Sequence, residues 1–130
     1  MTLPRANSYI GITTEKFKDA ADFYIRYFGY SVNAETESFV VIQSPNGKRT
    51  LGFSAPSKDK GLITSFAGGI QLPFLVEDAD AALAAFKQAG ISITRNIEIE
   101  DWGEKYFVVT DPAGIELYIS EAAVKVELGV

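Results

Sequence analysis

The 130-residue chain contains neither cysteine nor histidine. Without thiols it forms no disulfide, and thiolate nucleophiles and Cys–His couples are excluded. Without imidazole it lacks the usual acid/base group near neutral pH and the commonest metal ligand, so a Ser–His–Asp triad is excluded too. A bound metal would have to rest on carboxylates, amides and carbonyls. No apolar run reaches the roughly 18 residues that cross a bilayer, and Met1 to Ser8 lacks the basic-then-apolar order of a secretion signal. The expectation is a cytoplasmic protein with no membrane partner. Basic residues are also in short supply, 12 Lys and Arg against 17 Asp and Glu for a net charge of −5. No basic patch is visible for displacing counterions, so nucleic acid is not an expected partner. Mild acidity reads first as solubility and second as attraction for a cationic ligand.

What the chain does have is a globular balance, 47% hydrophobic and 22% charged, at the length of one domain with its own core. Residues 1–130 are therefore read as a single domain. Periodicity divides it into two similar halves, about 7–54 and 69–121. The first opens with a strand over Ser8 to Thr14, in which Ile10 and Ile12 share one face and Tyr9, Gly11 and Thr13 the other. A helix follows over Glu15 to Phe28, with Phe17, Ala20, Ala21, Tyr24, Tyr27 and Phe28 as its apolar stripe and Gly29 at its end. Thr13-Thr14-Glu15 reads as the helix start. Strands are expected at Tyr30 to Ala34, Ser38 to Gln43 and Arg49 to Ser54, the last two joined by the turn Ser44-Pro45-Asn46-Gly47. A connector spans 55–68, polar and Gly/Ser-rich at its ends but carrying Leu62, Ile63 and Phe66.

The second half repeats the order. A strand covers Gly69 to Val76, a helix Asp78 to Ala89 with Gly90 after it, and strands Ile91 to Ile97, Lys105 to Thr110 and Ile115 to Ser120. Asp111-Pro112-Ala113-Gly114 matches the earlier turn, so Asp111 reads as turn chemistry. Residues 121–130 have no clear assignment. The fold class is α+β: two βαβββ repeats forming a curved mixed sheet, helices outside, with a concave pocket. Neither Gly68-Gly69 nor Pro45-Asn46-Gly47-Lys48 has phosphate-loop spacing.

Three segments carry a resemblance. TTEKFKDAADFYIRYFGY is similar to the opening strand-to-helix segment of the glyoxalase/bleomycin-resistance/extradiol dioxygenase superfamily, the vicinal oxygen chelate proteins. VEDADAALAAFKQAGI resembles that family's VxDxDAxxxxLxxxGV, and DWGEKYFVVTDPAGIELYI its closing WGxxxFxxxDPxGxxxEL hairpin. The resemblance covers Ser8 to Glu121 and implies a small-molecule protein, commonly a homodimer. In metal-dependent members, His, Gln or Glu hold a divalent ion from equivalent inward positions. The resemblance puts these at Tyr9, at Leu51 or Gly52, at Gln71 and at Tyr118. Only Gln71 is a plausible ligand, and Glu116 stands two residues from the expected carboxylate on the same strand face. Hard cations want several converging oxygens, so neither a metal nor any other cofactor is expected.

The candidate ligand-binding residues are Tyr9, Phe39, Phe53, Gln71, Trp102, Tyr106, Glu116 and Tyr118. Tyr9, Gln71 and Tyr118 read as a polar floor, or as side chains filling vacated metal space. Phe39, Val41 and Gln43 share the face of Tyr9, as do Tyr106, Val108 and Thr110, with Phe53 a further candidate; an aromatic-lined cavity and an aromatic core fit equally. Trp102 reads evenly as a rim aromatic that stacks on a planar or cationic ligand and as a structural plug. Glu98, Glu100, Asp101 and Glu104 read as a solvated loop. The leading function is metal-free binding, with no catalytic residue, like the bleomycin-resistance branch that sequesters antibiotics. The ligand would be cationic or aromatic. The rival is a diverged metal-dependent lyase or dioxygenase using Glu116 and Gln71, and a third reading is an accessory domain with a vestigial pocket.

Overall fold

The computed structural model describes residues 9–59 and 69–121. The chain divides into two compact units, Met1–Ser65 and Phe66–Val130. The first runs β1 (Ile10–Thr13), α1 (Phe17–Phe28), β2 (Ser31–Glu35), β3 (Phe39–Gln43) and β4 (Thr50–Ser54). The second runs β5 (Gln71–Leu75), α2 (Ala79–Gln88), β6 (Arg95–Ile99), β7 (Lys105–Thr110) and β8 (Glu116–Glu121). Both halves thus have the βαβββ order that the periodicity implies. Among the described residues, pairing stays within each half, so the mixed sheet is built as two four-stranded sheets, β1-β4-β3-β2 and β5-β8-β7-β6. The pairs β1–β4 and β5–β8 are parallel and all others antiparallel. The apolar connector residues Leu62, Ile63 and Phe66 and the tail beyond Glu121 lie outside the described residues.

Each helix lies on one face of its own sheet, and strand alternation decides which side chains meet it. In the first unit Ile12, Val40, Ile42, Leu51 and Phe53 are buried beneath α1, whose Ala20, Ala21 and Tyr24 are buried in turn. The small alanines let the helix approach closely, and the Tyr24 ring stacks on Phe53 with centroids 5.7 Å apart. In the second unit Leu72, Phe107, Val109, Leu117 and Ile119 face α2, and Phe86 meets Phe107 edge to face at 5.3 Å. Removing each such side chain from water stabilises the fold by about 1.5–3 kcal/mol. Phe53 is therefore corrected: it is fully buried core under the helix and lies on the face opposite Tyr9.

Element ends also shift for identifiable reasons. The Thr14 Oγ1 accepts from the Lys16 N–H at 3.1 Å, a local turn that delays α1 to Phe17 rather than Glu15. Gly29, at φ 71°, closes the helix as expected. At the end of α2, Gly90 turns left-handed at φ 83° and the Ile91 N–H returns to the Phe86 carbonyl at 3.1 Å. That bond binds Ile91 into the helix cap, so β6 starts at Arg95 instead of Ile91 and extends to Ile99. Glu98 consequently belongs to a strand rather than to a solvated loop.

The two PxG turns are built alike. Gly47 (φ 72°) donates to Ser44 O at 2.9 Å, and Gly114 (φ 91°) donates to Asp111 O at 3.0 Å. The buried Asp111 carboxylate also accepts from the Ala113 and Ile115 N–H groups, both at 2.9 Å, which supports its turn role.

Candidate functional site: the sheet faces turned away from the helices

In the first unit the face away from α1 carries Tyr9, Phe39, Val41, Gln43, Thr50 and Gly52, as the cross-strand pairs Val41–Gly52 and Gln43–Thr50 require. The register settles the choice between Leu51 and Gly52. Leu51 is fully buried under the helix, and Gly52 occupies the opposite face. Tyr9 lies directly over it: a Cβ on Gly52 would stand 2.7 Å from Tyr9 Cε2. Glycine is what permits this approach. Beside this contact is a cavity of about 450 Å³ lined, among the described residues, by Tyr9, Asn33, Val41, Gln43, Gly47, Lys48 and Thr50. Asn33 reaches it because β2 bulges between Val32 and Ala34, leaving Asn33 without a register partner. The Gln43 amide is anchored by donating to Gly47 O at 3.1 Å. Phe39, half-buried, sits further along the same face.

In the second unit Gln71, Glu116, Tyr118, Tyr106 and Val108 share the face away from α2, through the pairs Gln71–Glu116, Val108–Tyr118 and Tyr106–Ser120. The rings of Tyr106 and Tyr118 stack at 5.3 Å. Arg95, paired with Val108 across β6 and β7, lies 5.9 Å and 5.7 Å from their centroids and donates from Nη2 to the Tyr118 hydroxyl at 3.1 Å. Interaction with Tyr118 raises the Arg95 pKa. Partial loss of solvation opposes that rise, and Glu98, Tyr106 and Glu116 reinforce it. The Tyr106 hydroxyl lies 2.6 Å from Glu100 Oε1 and 3.1 Å from Glu98 Oε2. It has one proton to donate, so the shorter contact is its principal bond. That bond holds the phenol well above its ordinary ionisation range, with burial and Glu98 acting in the same direction. Ser120 Oγ donates to Glu104 Oε2 at 2.7 Å, and Trp102 Nε1 to Glu104 Oε1 at 3.2 Å. Trp102 is 67% exposed in the β6–β7 turn.

The structure thus gathers Gln71, Tyr106, Glu116 and Tyr118 on one face, places Tyr9 and Phe39 on the corresponding face of the first unit, and removes Phe53 to the core. Sequence reasoning missed Asn33, Lys48, Thr50 and Arg95. Asn33 had a signal, an amide between Val32 and Ala34 in a strand that otherwise disfavours it. Arg95 lies inside the strand expected over Ile91 to Ile97, but the Val108 partner that sets its face is fixed only by the observed register. The donors at the positions implied for a metal are a phenol and a glycine in one unit and an amide and a phenol in the other. Among the described residues no three Asp, Glu, His or Cys side chains converge. This set does not fit a divalent ion, which wants several hard oxygens at short range.

Two βαβββ modules, each with a helix on one sheet face and polar and aromatic side chains on the other, define a class of paired-module proteins. Residues 7–119 match the Glyoxalase/Bleomycin resistance protein/Dioxygenase superfamily, and the chain belongs to it. Similar solved structures include lactoylglutathione lyase from Agrobacterium tumefaciens, with TM-score 0.70 and 17% identity over 93% of this chain and 96% of that one. A bleomycin resistance determinant encoded on the transposon Tn5 has TM-score 0.64 and 20% identity, over 92% and 100% of the two chains. A bleomycin-binding protein complexed with bleomycin has TM-score 0.61 and 21% identity, over 91% and 99%. At these identities the likeness is one of fold. No curated protein sequence matches the chain. Among the described residues no helix is long and apolar enough to cross a membrane.

Proposed function

We propose that this protein binds a small organic molecule on the helix-free sheet face of its first unit without a metal ion. The observation that carries this reading is the cavity of about 450 Å³ beside Tyr9, where the Tyr9 ring lies over Gly52. Both residues stand at positions where metal-dependent relatives would present ligands, and neither can act as a His, Gln or Glu would. The volume is within the range of about 300–1,000 Å³ usual for ligand sites. The exposed Tyr9 ring, with Phe39 further along the same face of the first unit, favours a planar, aromatic body. Similarity to a bleomycin-binding protein supports an antibiotic-like ligand, and exposed Val32, Ile99 and Trp102 support pairing as a homodimer.

The test is metal analysis of protein purified without chelator, run with native mass spectrometry and thermal titration against aromatic antibiotics. The expected result is substoichiometric metal, a melting temperature unmoved by chelator, and stabilisation by aromatic compounds. Stoichiometric zinc, nickel, manganese or iron would overturn the proposal.

A further inference from the structure

We infer that the ligand of the first unit's cavity carries an oxyanion, a carboxylate in the simplest case, and that Lys48 is its charge partner. The inference rests on the proposed small-molecule function and adds the ligand's chemical class. Among the described lining residues, Lys48 is the one that is charged at neutral pH, and no Asp or Glu joins it. The remaining polar groups are the Tyr9 and Thr50 hydroxyls and the Asn33 and Gln43 amides, all able to donate. One cation surrounded by neutral donors is the complement of an anion with further oxygens. A cationic ligand would meet like charge here and find no carboxylate among the described lining residues, despite the chain's net charge of −5.

Three features make Lys48 more than a stray surface lysine. Its backbone is fixed, because its N–H donates to Asn46 Oδ1 at 3.0 Å within the turn that Ser44 and Gly47 close. Its neighbour in the cavity, Gln43, is tied to the same turn through Gly47 O. Among the described residues, no carboxylate lies within ion-pair distance of its ammonium. Its ammonium therefore stays available to an incoming group.

The test uses three probes with one aromatic body and different heads: 3-phenylpropionate, 3-phenylpropanamide and 3-phenylpropylamine. Each is titrated into nitrogen-15-labelled protein at low salt and followed by NMR, in wild type, Lys48→Gln and Lys48→Arg. The carboxylate should bind tightest and shift the amides of Gln43, Gly47, Lys48 and Thr50. Lys48→Gln should weaken it about fivefold while leaving the neutral amide unchanged, and Lys48→Arg should retain most of the affinity. Raising ionic strength to about 0.5 M should weaken the carboxylate selectively. Amine or amide binding as tight as the acid, or acid affinity unchanged in Lys48→Gln, overturns the inference while leaving the small-molecule function standing. If none of the three heads binds, this inference falls, and the metal and antibiotic titrations above decide the broader function separately.

Discussion

At the scale of single residues, the two faces of the first unit's sheet differ in burial. Phe39 in β3 and Phe53 in β4 stand one position apart in the register, yet Phe53 is fully buried against Tyr24 and Phe39 is half-buried on the other face. Phe53→Ala should destabilise the fold by about 3–5 kcal/mol, through lost burial and the cavity left behind. Phe39→Ala should cost well under half of that in the same denaturant series. Equal losses would mean the faces are wrongly assigned. Gly52→Ala makes a complementary case. The added methyl must push the Tyr9 ring aside, but that ring is 59% exposed and free to move. Stability should change by less than about 1 kcal/mol, helped by the lower chain entropy of alanine, while affinity for any cavity ligand should fall. Tyr106 carries a pH signature. Folding raises the pKa of its phenol above 10.0, first through Glu100. Its stabilisation is therefore complete below the ordinary phenol range and is lost as pH climbs through the raised value. In an alkaline absorbance titration Tyr106→Phe should remove one late-ionising phenol and flatten the stability loss above about pH 10. An unchanged titration curve would dissociate Tyr106 from Glu100.

At the scale of elements, α2 is short and depends on its start. The Asp78 carboxylate accepts from the Ala81 N–H at 3.1 Å, and Glu121, at the end of β8, accepts from the Ala79 N–H at 2.9 Å. Both satisfy helix donors that have no partner within the helix, and both place negative charge at its positive end. Asp78→Ala should cost about 1 kcal/mol by chemical denaturation, and an effect near zero would show that Glu121 suffices alone. Lys105, bridging β7 to Asp80, adds a third tie to this first turn. Much of this level was legible in the sequence. The apolar stripe of Ala20, Ala21 and Tyr24 marked α1, and the repeated PxG turns marked two hairpins, because period and turn chemistry are local properties. The bulges at Asn33 and within β6 were not legible. A bulge is set by what the neighbouring strand pairs with, and β6 lost its expected first residues to a hydrogen bond between Ile91 and Phe86. Asn33, the side chain that the first bulge aims, escaped for that reason. Phe53 was misplaced by a different route, since a one-residue ambiguity in register transfers a side chain to the opposite face.

For the molecule as a whole, the acidic balance and the charge of the first unit's cavity differ in sign. A net charge of −5 spread over the surface maintains solubility, whereas the described lining of the first unit's cavity has Lys48 as its charged group; the second unit's helix-free face, where Arg95 stands beside Glu98 and Glu116, keeps the sign of the whole. Overall charge is a poor guide to the ligand when the few groups in contact with it have the opposite sign and act at short range. Association with a second copy poses the same contest. Like net charges repel, but β2 and β6 are edge strands in their sheets and carry Val32 at 50% exposure and Ile99 at 68%, with Trp102 at 67% in the adjoining turn. Edge strands with exposed apolar side chains tend to find partners unless charge or bulges prevent it. Here the bulges interrupt hydrogen bonding along both edges, which disfavours open-ended strand addition and favours a closed, side-chain-mediated pair. Sizing chromatography with light scattering should therefore give twice the chain mass and no larger species. Raising salt should strengthen the pair by screening the net charge. Ile99→Glu or Val32→Glu should return the mass to that of one chain while leaving the far-ultraviolet circular dichroism unchanged. A wild-type mass of one chain at high salt and high protein concentration would show that these side chains are exposed for some purpose other than self-association.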